Sequence, residues 1–304
     1  TKINQFLFSN SDNELSKDKV SNFIIFSIFI FCILEFFIID LTFFISDLDL
    51  FHEGLWLTPS FNFSLTQKFW AENYIGRGLF GNFYPVLIWN LINEMTIGSV
   101  RFFNIFLLLL NKLLLIFLAK QISDNINFSL IKKTIFFISL SLLLVSLVDY
   151  YNKEEFVKRS PLIILFLNFL LFSLKDYDKY SINFFCLGIF SIISFLWFID
   201  VAAYLNFVLI FIIVFYLIKM QFKISLSILS GITFGWVLFL VTFPDNEISA
   251  FFSNTLNIYK SIDQIHGIVF PEPFSGNTRA LRTLLLFVIG GVFSIFICLN
   301  QNKF

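Results

Sequence analysis

The sequence predicts an all-α, polytopic transmembrane helix bundle of about eight spans, with interfacial helices in a long first outer loop. Three observations predict it. Hydrophobic residues make up 58% of the 304 residues and mean hydropathy is +0.84, whereas soluble domains run at roughly 45–50% apolar. The apolar residues gather in runs approaching the ~20 residues that a spanning helix requires. Lys and Arg, finally, are distributed unevenly between the connections, as they are in proteins with a fixed membrane orientation.

Taken in order, the apolar windows are 23–45, 102–119, 134–148, 161–174, 182–199, 201–218, 224–243 and 282–299. The shorter ones need tilt, a re-entrant path or flanking residues to cross a bilayer. The whole chain, 1–304, reads as a single membrane domain: first span 23–45, outer loop 46–101, further spans over 102–243, a second long outer loop 244–281, and the last span 282–299. With the N-terminus in the cytoplasm, eleven of the 21 Lys and Arg fall in the short inner segments 1–22, 120–133, 175–181, 219–223 and 300–304. Nine fall in the outer segments, which are about twice as long. The polar start, Thr1 to Asn22, is too long and too acidic for the basic head of a signal peptide. The chain opens on Thr1 and closes just after an apolar run, as a piece of a longer protein would.

Net charge is zero, so the chain has no nucleic-acid footprint. Cys32, Cys186 and Cys298 are far apart inside apolar runs and read as small core hydrophobes. The first outer loop is richer. Pro59 is expected to break the chain. Phe61, Leu65 and Phe69, and then Tyr84 to Met95, follow at near-helical spacing and read as amphipathic helices in the interface. Trp56, Trp70, Tyr74, Tyr84 and Trp89 suit headgroup depth. Between the two helices, Gly76-Arg77-Gly78 reads as a flexible turn with one fixed positive charge.

The chemistry concentrates in Asp47-Leu-Asp49-Leu-Phe-His52-Glu53-Gly54, where the first span should surface. A carboxylate there could take a proton from an acceptor hydroxyl, and a pair such as Asp47 and Asp49 could hold a divalent cation, Mg or Mn, beside a phosphate. The plainer reading is that polar residues mark the end of a span; four such groups in seven positions exceed what a helix end requires. Asp40, near the outer end of the first span, could join them, and Glu35, deeper in, could pair with Lys112. Lys158 and Arg159, before Pro161, could clamp a phosphate. Asp200 is the only charge in a very short outer turn and could line the same cavity. Arg279 and Arg282, in and at the end of the second long outer loop, could meet a phosphate; the plainer readings are interface anchors and turn residues.

An acid cluster directly after the first span, a long first outer loop and short inner links resemble the GT-C superfamily of integral membrane glycosyltransferases. His52-Glu-Gly54, Leu57-Thr-Pro59 and Gly76-Arg-Gly78 look like a set of bacterial proteins of this kind. The resemblance implies a polyprenyl-phosphate-linked sugar donor, a glycan, lipid or protein acceptor, contact with membrane lipid, and a bacterial inner membrane location. It implies Asp47 or Asp49 as base or metal carboxylate, with His52 and Glu53 orienting that base or completing a metal shell. Asp40, Arg77, Arg159, Asp200, Arg279 and Arg282 would contact substrate, the arginines meeting the donor phosphate. The soluble C-terminal outer domain of that pattern is not within these residues. Two other classes remain open. One is a transporter or flippase with Glu35 in its pathway, which should show repeat symmetry and broken helices. The other is a non-enzymatic membrane assembly subunit.

Overall fold

The computed structural model describes residues 13–38, 53–73, 75, 78–126, 129–146, 154–175, 181–266 and 285. Among these residues the protein is all-helical, with ten helices. They are α1 Asn13–Ile38, α2 Gly54–Thr66, α3 Leu79–Ile92, α4 Ile97–Asp124, α5 Leu130–Ser146, α6 Glu154–Lys175, α7 Ser181–Trp197, α8 Ile199–Ile218, α9 Phe222–Thr242 and α10 Asp245–His266. The chain forms two compact units that divide between Asn254 and Thr255, and the first holds α1 to α9 with the start of α10.

Three helices, α4, α8 and α9, are long and apolar enough to cross a membrane, and α7 and part of α1 are shorter apolar helices. This is the composition of a membrane protein. The apolar windows at 102–119, 201–218 and 224–243 correspond closely to α4, α8 and α9. The last expected span, 282–299, lies outside the described residues except for Leu285.

Two packed groups share α6. In the first, α1, α4 and α5 meet through Ile28, Cys32, Ile116, Ala119, Phe137 and Val145, and α4 meets α6 through Ile105, Leu108, Leu115 and Ile164. In the second, Phe166 of α6, Phe184 and Leu187 of α7, Leu205 and Leu209 of α8 and Ile228 of α9 form one core. Helix α4 is the more central element: 56% of its apolar window is buried, against 33% for α8 and for α9. The outer faces of α8 and α9 present Phe207, Phe211, Ile218, Leu226 and Val241, as lipid-facing surfaces do.

Helices α7 and α9 approach backbone to backbone. A Cβ on Gly188 would stand 2.2 Å from the Ile228 carbonyl oxygen, and one on Gly231 would stand 1.9 Å from that of Phe185. With Gly235 one turn further on, α9 carries the small-xxx-small spacing that lets membrane helices close without a side chain between them. Beside this seam, Asn206 of α8 accepts from the Ser191 hydroxyl of α7 at 2.5 Å and donates to Ser194 Oγ, while the Trp236 indole of α9 donates to Ser191 Oγ at 3.2 Å. Each polar group in this apolar setting therefore has a partner, as the cost of burying it alone requires.

Helices α2 and α3 differ from the expectation in extent and setting. Pro59 lies inside α2 rather than ending it. The helix stops at Thr66, where Gln67 takes a left-handed backbone conformation, and α3 stops at Ile92, where Asn93 does the same. Trp56, Trp70, Tyr84 and Trp89 are buried within the protein. Trp56, Tyr84, Ile88 and Trp89 pack with Val100 at the start of α4. Trp70 sits among Phe239, Phe243 and Phe251.

Gly78 is a fixed point rather than a flexible one. Its φ is +125°, a region that side chains disfavour. A Cβ there would also strike the Trp197 carbonyl oxygen at 2.7 Å. The start of α3 is thus seated on the junction between α7 and α8. The segment before it is pinned as well. The buried Glu247 carboxylate accepts from the backbone N–H of Trp70 at 2.6 Å and of Ala71 at 3.2 Å. Lys68 and Glu72 are paired nearby, and the hydrogen bond that the Lys68 ammonium donates to the Glu72 carboxylate raises the Lys68 pKa above its ordinary value.

Candidate functional site

The starts of α2, α4, α6 and α8 converge at one end of the bundle, and polar groups from each meet there. Glu53 precedes α2, its carbonyl taking the N–H of Leu57 at 2.9 Å. Its carboxylate accepts two hydrogen bonds from Arg101, at 2.7 Å from Nε and 2.8 Å from Nη2. Both residues are about 95% buried. Two parallel bonds in a dry setting form a specific, charge-neutral clamp between α2 and α4.

Next to the clamp, the buried Lys158 of α6 has its ammonium 4.5 Å from the Trp56 ring centroid and 5.2 Å from that of Tyr84. The negative faces of the two rings favour a cation between them. The Lys158 carbonyl accepts from the Trp197 indole at 2.9 Å, and Trp197 stacks on Phe80 with centroids 3.7 Å apart. One residue on, Arg159 Nε lies 3.0 Å from an Asp200 carboxylate oxygen, and its guanidinium carbon stands 5.2 Å from the Phe198 ring centroid. This pair is wetter, with side chains 33% and 47% exposed. Asp200 lies in the first turn of α8, where the helix dipole favours a carboxylate, and it accepts from the Val201 N–H.

A line of buried polar residues runs from this end along α4: Arg101, Asn104, Asn111 and Lys112. Their spacing of 3, 10 and 11 residues keeps them on one helical face. It continues into contacts with α6. Ser160 donates to Asn111 Oδ1 at 2.9 Å, Asn168 donates to the Leu114 carbonyl at 3.0 Å, and Gln121 donates to Asn168 at 3.2 Å.

Of the residues expected to form a site, Glu53, Arg159 and Asp200 are brought to the same end. Glu53 is held in the Arg101 clamp and Arg159 pairs with Asp200. Asp40, Asp47, Asp49, His52, Arg77, Arg279 and Arg282 lie outside the described residues, as does the side chain of Glu35. The proposed cation ligands, Asp47 and Asp49, are among them. Sequence reasoning missed Arg101 as the partner of Glu53, and missed Asn104 and Asn111. The signal available was the one-face spacing along α4.

Comparison with family models, curated proteins and solved structures returns no match. The half-buried guanidinium of Arg159, held by the Asp200 carboxylate, is a group at this end that can receive an anion. The Glu53–Arg101 clamp ties the start of α2 to α4.

Proposed function

We propose that the protein is a membrane glycosyltransferase of the GT-C type. It would move a sugar from a polyprenyl-phosphate-linked donor to a glycan, lipid or protein acceptor at the outer face of a bacterial inner membrane. It would have about eight spans and a cytoplasmic N-terminus. The observation that carries this reading is the meeting of Glu53, Arg159 and Asp200 at one end of the bundle, although 147 residues separate the first from the last. Glu53 is the last member of the acid cluster that begins at Asp47. Asp47 or Asp49 would take the acceptor proton, with His52 orienting it and with a divalent cation as the accompanying option. Arg159 would offset charge developing on the leaving phosphate, held in place by Asp200; Arg77, Arg279 and Arg282 are further candidates for that contact.

The test uses the purified chain in lipid nanodiscs with a panel of labelled polyprenyl-phosphate hexoses and their acceptors. Transfer by the wild type that is lost in Asp49→Asn or Asp47→Asn supports the reading. If the chain neither binds nor consumes any of these donors, the reading fails. The buried polar face of α4 favours a second reading, a transporter with Lys112 in its pathway. Substrate-dependent flux in proteoliposomes that Lys112→Met abolishes, without any transfer activity, would select it.

A further inference from the structure

A shallow groove lies at the other end of α8, lined by Leu174, Phe215, Tyr216, Lys219 and Gln221. Its volume is about 260 Å³. Helices α8 and α9 are each long enough to cross a membrane and are joined only by the turn 219–221. That turn lies at a membrane surface if both helices span. Helix α8 has 20 residues, so the groove is about 25 Å along it from Asp200, and it is separate from the site proposed above.

The lining is two-sided. Leu174 and Phe215 are 44% and 53% exposed and offer apolar surface toward lipid. At the turn, the Lys219 ammonium stands 5.9 Å from the Phe215 ring centroid, Gln221 adds an amide, and Lys223 follows as the second residue of α9. An ammonium at the rim of an apolar groove, at bilayer-surface depth, complements an anionic headgroup whose acyl chains lie along the helices. Basic pockets between membrane helices recognise such headgroups. The volume falls below the ~300–1,000 Å³ of pockets that enclose a whole drug-sized ligand. It suits a phosphate and its glycerol, with the chains left outside.

We infer that this groove is a binding site for an anionic glycerophospholipid of the surrounding leaflet, with Lys219 as its phosphate contact. The inference rests on the membrane reading and not on glycosyl transfer. The test measures retained lipid by native mass spectrometry of the full chain, extracted into mild detergent and exposed to equimolar phosphatidylglycerol and phosphatidylcholine. The wild type should retain phosphatidylglycerol preferentially. Lys219→Ala should reduce that retention about fivefold, the equivalent of the ~1 kcal/mol that one basic residue contributes near an anionic surface. Lys219→Arg should keep most of it, which controls for folding, and Lys68→Ala, at the other end, should keep all of it. Equal retention of the two lipids, no change in Lys219→Ala, or displacement of phosphatidylglycerol by millimolar inorganic phosphate would each overturn the inference.

Discussion

The side-chain amide of Asn82 donates a hydrogen bond of 2.7 Å to the carbonyl of Leu55. Leu55 lies four residues before Pro59, so its carbonyl is the one that a helical N–H at position 59 would have served. Helix α2 continues through a proline because α3 furnishes the missing donor. Ser60 returns a second bond, its hydroxyl donating to the Asn82 carbonyl at 2.7 Å. Asn82→Ala should therefore destabilise the protein by about 1 kcal/mol, through loss of this part-buried hydrogen bond. Pro59→Ala in that background should recover part of the loss, because the new N–H can close the helical bond. Thermal melting of the two variants in detergent checks this, and no recovery in the double variant would refute the pairing.

The Glu53–Arg101 clamp leads to a prediction that separates support from chemistry. Arg101→Met alone leaves a buried carboxylate without its main counter-charge and should cost about 3–5 kcal/mol. Glu53→Gln combined with Arg101→Met removes both charges and should melt closer to the wild type. If Glu53 serves the fold, donor consumption in the double variant persists wherever the protein remains folded. Loss of turnover at unchanged melting temperature would instead place Glu53 in the chemistry.

The glycine seam makes a stability prediction with an internal control. Gly231→Ala drives a methyl into the α7 backbone at Phe185, where no flexible side chain can yield, and should cost about 3 kcal/mol. Gly98→Ala, in the first turn of α4 with open space around its Cβ position, should instead be neutral or stabilising by up to about 1 kcal/mol. Melting curves of the two variants decide.

Arg159→Ala should have the opposite profile. Its partly exposed pair with Asp200 contributes at most about 1 kcal/mol to stability. On the transferase reading, losing it should lower turnover by about 10²–10³, as removal of one preorganised charge-stabilising donor does. Asp200→Asn should lower turnover less, since the arginine remains. Turnover of Arg159→Ala equal to wild type would remove Arg159 from the site.

The parts of the fold that could be read from the sequence are those set by local composition. The apolar windows located α4, α8 and α9 to within a few residues, because an uninterrupted apolar run has few ways to satisfy its backbone in a membrane other than as a helix. The features that were not legible depend on distant partners. Pro59 reads as a stop because its replacement donor is 27 residues from the carbonyl it serves. Trp56 and Tyr84 read as interface anchors because nothing local reveals that Lys158 lies between them. Likewise Glu53 reads as part of an acid cluster, since Arg101 is 48 residues away. The spacing of Gly231 and Gly235 was visible, but Gly188, which Gly231 faces, could be identified only from the packing. For the site, Arg159 and Asp200 were read singly and are found paired.

Helices α7 and α8 are separated by a single residue, Phe198, in extended conformation. One such residue spans under 4 Å, and its side chain is buried under Gly81. No hydrophilic loop exists between these helices to be held on one side of a bilayer while the second helix waits its turn. If both helices cross a bilayer, α7 and α8 would therefore enter it together during biosynthesis, as a preformed hairpin. The orientation of the shorter, α7, would then be dictated by its neighbour.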